Sequence, residues 1–192
     1  MRLAALLLLL AACTRMSPEE AAWARLTKFG TQHRYRTWTA DDSATAHRLV
    51  RAYIDLPRHD NRQRTGRAYT LLWRVLRNDP RAGRDELLTT AHGMEEYASF
   101  PVSRFIEPAR LLAERNIDLA YAEHLGRRGV IEAHRYFQRH PEENDPPEFI
   151  AGVVARAHES LGIVLKKRGR DAEAEQEFVA ARRVAAHAAS AR

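Results

Sequence analysis

The spacing of apolar residues from residue 17 onward is helical. Apolar residues recur every three or four positions, and no stretch of useful length shows the alternating pattern of a β-strand. Eight helices are predicted on this basis, at about 17–29, 42–56, 62–78, 84–99, 102–126, 129–140, 148–168 and 171–188. The polar stretch 116–118 is a point at which the fifth helix could break. The pattern therefore predicts an all-α protein.

Several predicted helices begin and end on recognisable signals. Ser17 and Glu20 have the spacing of a capping box, and Pro18 stands at the first helical position. Pro57 stops the second helix, and Asp171 is placed to cap the start of the eighth. These signals fix the ends of helices but say nothing about how the helices pack.

The C-terminal part of the sequence contains an internal repeat. Residues 125–129 (LGRRG) match residues 165–169 (LKKRG) at a shift of 40, and each match ends on a glycine. Two further pairs match at a shift of 41, namely Ala133 with Ala174 and Phe137 with Phe178. Repetition at this period is typical of stacked helical hairpins, so the pattern predicts an array of hairpins with a turn after each glycine.

The last predicted hairpin resembles a tetratricopeptide repeat over residues 155–188. The residues at the spacing of that motif are Leu161, Gly162, Leu165, Gly169, Ala174, Phe178 and Ala181. His158 replaces the tryptophan of the motif, and Ala186 replaces its helix-ending proline. The resemblance implies an all-α fold of about eight helices, arranged as a right-handed stack of antiparallel helical hairpins in a short solenoid.

In tetratricopeptide arrays the first helix of each hairpin lines a concave groove that binds other proteins. The resemblance therefore implies a partner-binding surface on the seventh helix, formed by Arg156, Glu159, Ile163, Lys166 and Lys167. Ile163 offers an apolar contact, and the cationic side chains could hold an acidic segment. Lys166 and Lys167 are equally well explained as charges that complement the C-terminal end of a helix dipole.

The N-terminus has the organisation of a secretory signal. Arg2 precedes an apolar run of ten residues, Leu3 to Ala12, which as a helix would span ~15 Å, half the ~30 Å core of a bilayer. The sequence Leu10-Ala11-Ala12-Cys13 then resembles the lipobox of bacterial lipoproteins, and Cys13 is the only cysteine of the chain. The alternative is an incidental cysteine that follows an ordinary signal.

The lipobox resemblance divides the chain into three parts. It implies that residues 1–12 are a cleaved signal peptide, that 13–16 are a lipid-anchored tether and that 17–192 are the helical-repeat domain. Cys13 would carry covalent diacylglycerol and an acyl group such as palmitate, and two or more chains anchor a protein stably. Thr14 is not the aspartate that retains some lipoproteins at the inner membrane, which favours the outer membrane, facing the periplasm.

Sequence motifs for catalysis are not recognisable. The nine histidines include no HExxH arrangement, and the patterns of a nucleophile elbow, a dinucleotide-binding loop and a phosphate-binding loop do not occur. Cys13 could not act as a catalytic thiol once acylated. We therefore expect no enzyme activity, no metal and no cofactor beyond the acyl groups on Cys13. An enzyme whose residues assemble only in space is a third hypothesis, after the two given below.

Basic charge is concentrated in the N-terminal half. The segment from Thr14 to Pro80 has a net charge of +6, and the segment from Arg81 to Arg192 has a net charge of −1. The basic residues that lie among aromatic and histidine positions there are Arg34, Arg36, Arg48, Arg51, Arg58, Arg62, Arg64 and Arg67. Export removes nucleic acid as a partner, which leaves anionic lipid, lipopolysaccharide or peptidoglycan. A solvated face, or a GC-rich genome that favours arginine, explains the same excess without a ligand.

Two functional hypotheses follow. The first is an envelope lipoprotein that acts as a non-enzymatic protein–protein interaction scaffold or assembly factor, with an envelope protein or peptide as its partner. The second is a membrane-anchored helical domain that binds an anionic ligand or surface through its arginine-rich face. Both place the protein at the membrane through its lipid anchor.

The first prediction concerns the anchor. Replacing Cys13 with serine removes the only thiol that could be acylated, so labelling by a fatty-acid probe should be lost and the signal should remain uncut by the lipoprotein signal peptidase. Metabolic labelling and the size of the mature chain measure both effects. Unchanged labelling of the serine variant would show that Cys13 is not the anchor.

Overall fold

The computed structural model describes residues 16–33, 38–57, 61–139 and 145–190, and within these ranges the regular structure is entirely helical. The α-helices are α1 (Pro18–Gln32), α2 (Ala40–Ile54), α3 (Arg62–Asn78), α4 (Arg84–Tyr97), α5 (Glu107–Glu114), α6 (Leu119–Arg139), α7 (Pro147–Lys167) and α8 (Asp171–Ser190). A π-helical turn, Val102–Ile106, leads directly into α5. The predicted all-α class is confirmed. The predicted signal peptide and Cys13 lie outside the described residues.

Capping fixes the starts of the first helices. The Ser17 hydroxyl accepts from the Glu20 amide at 3.1 Å, and the Glu20 carboxylate accepts from the Ser17 amide at 3.0 Å, which confirms the predicted capping box. Thr39 and Asp42 form a second capping box at the start of α2. Asn61 caps α3 by accepting from the Arg64 amide at 3.0 Å. Each cap satisfies amides that the helix itself leaves without a partner.

The predicted fifth and sixth helices are wrong in their boundaries. The chain turns at 115–118, where Asn116 and Asp118 adopt positive φ angles of 53° and 39°, and α6 then runs without interruption through the predicted turn at Gly129. A Cβ at Gly129 would lie 3.2 Å from the Ile106 side chain, so this glycine serves close packing. Gly169, with φ of 73°, does stand in a turn. The two glycines that the repeat aligned therefore have different structural roles.

Helices that follow one another in sequence pack against each other, and α5 also packs against α7. The main core runs through α1 to α6 around large buried side chains such as Trp73, Tyr53, Phe105 and Leu112. A second cluster joins Ile106 and α6 to the first half of α7. No helix among the described residues has both the length and the apolar character needed to cross a membrane.

The last hairpin packs as the sequence predicted. Ala174 is buried with Leu161 and Leu165, and Phe178 packs against this cluster. A Cβ at Gly162 would lie 2.6 Å from the Phe178 ring, so the absence of a side chain there lets the ring lie against α7. Ala174 and Phe178 therefore both face the preceding helix, α7.

Two glycines permit a close crossing of α3 and α4. A Cβ at Gly66 would overlap the backbone carbonyl of Tyr97, and a Cβ at Gly93 would overlap the ring of Tyr69. The two tyrosine rings stack with centroids 5.9 Å apart and planes 7° from parallel. Each helix thus has a glycine against which the other helix packs. At Gly66 the neighbouring atoms belong to the backbone of Tyr97, which cannot rotate away as a side chain could.

The second prediction tests this crossing. Replacing Gly66 with alanine should lower the free energy of unfolding by ~2 kcal/mol, because the backbone of one helix must shift to accept the methyl group. Denaturant unfolding followed by circular dichroism measures the change.

Gly152 provides the matched control. It also lies within a helix, but a Cβ there would have no heavy atom within 4 Å, so alanine should stabilise the protein by up to ~1 kcal/mol through helix propensity. If both alanine variants were as stable as the wild-type protein, the close approach at Gly66 would be refuted.

Candidate functional site

Three adjoining hollows cross the odd-numbered helices on one face of the protein. The α1–α3 hollow has a volume of about 360 Å³, the central groove between α3 and the α4–α5 junction about 900 Å³, and the α5–α7 hollow about 370 Å³. Arg67 and Leu71 line both the first hollow and the central groove. Arg77 and Glu107 line both the central groove and the α5–α7 hollow. The three hollows therefore adjoin one another along this face, and together they are called the depression.

The central groove is rich in arginine. Its arginines are Arg62, Arg67, Arg74, Arg77 and Arg104, and its acidic residues are Glu96 and Glu107. Four of the five arginines come from α3, and the π-helical turn supplies the fifth together with Ser103. Irregular helical turns of this kind are frequent at functional sites because they re-aim side chains. The excess of cationic groups suits an anionic ligand.

Most of these arginines are held by neutral groups. Arg62 donates to the Glu96 carbonyl at 2.7 Å and lies 5.2 Å from the centre of the Tyr97 ring. Arg104 donates to the Glu95 carbonyl at 2.6 Å, and Arg74 lies 4.8 Å from the centre of the Trp38 ring. These contacts orient each guanidinium without cancelling its charge.

Only one arginine of the central groove is in an ion pair with a carboxylate of the described residues. That pair joins Arg77 to Glu107 at 3.3 Å and stands where the central groove meets the α5–α7 hollow. The charges of Arg62, Arg67, Arg74 and Arg104 have no such carboxylate partner in the described chain. The groove therefore carries positive charge that a ligand could neutralise.

The α5–α7 hollow contains one of the residues predicted from the sequence. Arg156 lines it together with Arg110, which pairs with Glu114 at 2.7 Å. Trp73 also lines it, and its buried indole N–H has no hydrogen-bond partner among the described residues.

The other predicted binding residues on α7 lie outside the three hollows. Ile163 is half-buried and packs against the main core. Glu159, Lys166 and Lys167 are exposed, and both lysines stand in the last turn of α7. The structure thus brings Arg156 into the depression and leaves the other four beside it.

The predicted arginine-rich set is divided in the structure. Arg62 and Arg67 line the central groove, whereas Arg64 lies 5.7 Å from the centre of the Trp23 ring. Arg34, Arg36 and Arg58 lie outside the described residues. Four further arginines line the hollows although the sequence pattern did not indicate them: Arg74, Arg77, Arg104 and Arg110. The spacing of seven between Arg67 and Arg74 places both on one side of a helix and could have revealed the second of them.

Histidines link helices in pairs with carboxylates. The pairs are His33 with Asp42 at 3.0 Å, His47 with Glu86 at 2.8 Å, His124 with Glu95 at 3.0 Å and His158 with Glu177 at 2.7 Å. His158, which stands where the repeat motif has tryptophan, joins α7 to α8. No group of three or more His, Cys, Asp or Glu side chains in the described part of the chain could hold a metal ion.

Glu95 is the centre of a polar cluster between α4 and α6. Its carboxylate accepts from the Tyr121 hydroxyl at 2.8 Å and contacts His124. Burial tends to raise the pKa of Glu95, but the hydrogen bonds from Tyr121 and His124 outweigh it and lower the pKa below its ordinary value. Burial, and then Glu95 itself, raises the pKa of Tyr121. The cluster lies outside the three hollows and ties two helices together.

Glu123 forms a second cluster, which joins α6 to the turn between α7 and α8. Its buried carboxylate accepts from Arg127 at 2.8 Å, from Arg168 at 2.5 Å and from Arg170 at 2.6 Å. Burial alone would raise the pKa of Glu123, but these hydrogen bonds and charges lower it below its ordinary value. All the carboxylate's partners are structural, so this cluster stabilises the fold.

Comparisons of the chain with protein-family models, with curated proteins and with solved structures find no match. The geometry of the depression is therefore the basis for inferring what the protein binds.

The third prediction follows from the lowered pKa of Glu123. A carboxylate with a lowered pKa in the folded state stabilises the protein above its unfolded-state pKa, and this contribution is lost as the pH falls through the folded-state pKa. Glu123→Gln should therefore cost ~1–3 kcal/mol at neutral pH. The difference from the wild-type protein should shrink below about pH 4.5, the ordinary pKa of the group. Chemical denaturation between pH 3 and 7 measures it.

Glu175→Gln is the control for this series. Glu175 pairs with Arg182 on the surface, where both side chains are more than 60% exposed, and exposed ion pairs contribute ~0–1 kcal/mol. A Glu123 variant with the same small and pH-independent effect as the control would contradict the assignment.

Proposed function

We propose that the protein is a non-enzymatic interaction scaffold of the cell envelope, which holds an acidic, extended segment of a partner protein in the depression across its odd-numbered helices. The observation that carries the proposal is the central groove, in which four arginines have no carboxylate partner among the described residues. Planar guanidinium groups bind carboxylates through paired hydrogen bonds, so acidic side chains are the natural complement.

The positions of the hollows support a solenoid of hairpins. If α1–α2, α3–α4, α5–α6 and α7–α8 are the four hairpins, the first helix of each contributes to the depression. A shared concave face on the first helices is what the tetratricopeptide resemblance implies. The contact between α5 and α7, which are the first helices of successive hairpins, has the same explanation.

The dimensions of the depression favour an extended segment of a partner protein over a partner with a flat surface. Helices that pack directly are separated by ~8–10 Å. If successive first helices of the hairpins keep this spacing, a path from α1 across α3 and α5 to α7 covers ~27 Å. An extended chain rises ~3.3 Å for each residue, and about eight residues would occupy the depression. A contact of this size and polarity is expected to have a micromolar dissociation constant.

The lipid anchor belongs to the same proposal. The lipobox-like sequence that ends at Cys13 supports acylation, and only three residues separate Cys13 from Ser17, the cap of α1. A tether of this length reaches at most ~14 Å when extended. The depression would then lie near the membrane surface, facing partners in the periplasm.

The fourth prediction tests the groove with a fluorescein-labelled peptide of eight glutamates and the full-length protein in neutral detergent micelles. Fluorescence anisotropy should give a dissociation constant of ~10 µM for the wild-type protein. The double variant Arg67→Gln/Arg74→Gln should bind about tenfold more weakly, because it removes two of the arginines that have no carboxylate partner.

The control removes the same charge elsewhere. Arg135 and Arg182 each pair with a glutamate outside the depression, and the variant Arg135→Gln/Arg182→Gln should bind the peptide as the wild-type protein does. Equal weakening in both double variants would indicate charge attraction without a groove. Micelles that contain phosphatidylglycerol test the second hypothesis, since complete displacement of the peptide by these micelles would favour a membrane-surface role.

A further inference from the structure

The α1–α3 hollow differs in chemistry from the central groove that it joins. Its apolar walls are Trp23, Leu26 and Leu71, and the remaining lining residues are Thr27, Gly30 and Thr31 on α1 and Arg67 at the border with the central groove. Leu26 is buried, whereas Trp23 and Leu71 are half-buried and so present apolar surface to the hollow. The hollow is thus a mainly apolar recess at one end of a basic groove.

Trp23 is held in a fixed position at this recess. Its ring packs against the buried Tyr53 ring at a centroid distance of 5.5 Å, and Arg64 lies over it at 5.7 Å. The Tyr53 hydroxyl in turn donates to Glu19, one turn before Trp23, at 3.1 Å. A ring held in this way offers a preformed surface, which lowers the entropic cost of binding.

Gly30 keeps the recess open. A Cβ built at this position would have no heavy atom within 4 Å, so the side of α1 that faces the recess is empty there. The volume of about 360 Å³ exceeds that of an engineered apolar cavity of ~150 Å³ that binds benzene. The recess can therefore accept one large apolar side chain.

We infer that the segment bound in the basic groove carries one large apolar side chain, aromatic or aliphatic, which is seated in the α1–α3 hollow about three residues from the acidic run. The inference rests on the proposed function. Arg67 and Leu71 line both the α1–α3 hollow and the central groove, so a segment bound in the central groove can extend into the hollow. The interval of about three residues follows from one helix spacing of ~9 Å and an extended rise of ~3.3 Å.

Two pairs of fluorescein-labelled octapeptides test the inference with the full-length protein in neutral micelles. In the first pair the amino-terminal residue is phenylalanine or serine, two serines follow it, and five glutamates end the peptide. The second pair has the same residues in the reverse order. In the orientation that the groove accepts, the phenylalanine peptide should bind about tenfold more tightly than its serine counterpart, because binding removes the apolar ring from water.

Filling the recess provides the decisive variant. Gly30→Leu should remove the advantage of the phenylalanine peptide over the serine peptide, because leucine fills the recess and occupies open space on a helix without displacing a neighbour. Gly152→Leu is the control, since Gly152 also lies in a helix and has no heavy atom near its Cβ position. It should preserve the advantage. Melting temperatures of both variants check that the fold is intact.

The outcomes separate this inference from the proposed function. If both peptides of each pair bind equally well to the wild-type protein, the apolar anchor is refuted while the acidic groove stands. If the phenylalanine advantage survives in Gly30→Leu, the ring binds elsewhere and the inference fails. If none of the peptides binds, the proposed function and the inference fall together.

Discussion

The close approach of α3 to the end of α4 is the constraint on which the candidate site depends. At Gly66 the backbone of α3 meets the backbone of Tyr97, and no side chain fits between them. That contact brings the Glu96 carbonyl and the Tyr97 ring to the groove wall, where they hold Arg62. The same junction leads into the π-helical turn that presents Arg104. If α3 and α4 crossed at a greater distance, the two walls of the groove would be further apart. The close packing at Gly66 and Gly93 therefore determines the width of this arginine-rich groove.

The protein uses arginine in two physically different ways. Around Glu123, three guanidinium groups contact one buried carboxylate. Their ion pairs with this carboxylate join α6 to the last hairpin. In the central groove the arginines rest instead on backbone carbonyls and aromatic rings. A carbonyl or ring orients a cation but leaves its net charge in place. The first arrangement stabilises the fold, and the second leaves net positive charge in the groove.

The sequence was sufficient for the helical class and for the last hairpin, because those depend on local spacing. The residues of the capping box at Ser17 are one turn apart, and Gly162 and Phe178 lie in two consecutive helices that a short turn joins. The chain does break at 116–118, where the sequence allowed it, but the turn predicted at Gly129 is absent because a turn glycine and a packing glycine look alike in sequence. Gly129 is small so that the π-helical turn can approach α6, and that neighbour is more than 20 residues away. Arg104 and Arg110 could not be assigned to the site for the same reason, since no local pattern relates them to α3.

Two regions that the sequence kept apart meet on one face of the protein. The arginine-rich N-terminal region supplies Arg62 and Arg67, and the repeat-like C-terminal region supplies Arg156. Helices α3, α5 and α7 bring these three arginines to one face, whereas the other described residues of both predicted sets lie outside the hollows. A flat cationic face would attract any anionic surface with little regard to shape. Under the proposed function, a depression that is basic along its middle and apolar at the α1 end would instead distinguish among acidic segments by where an apolar side chain falls.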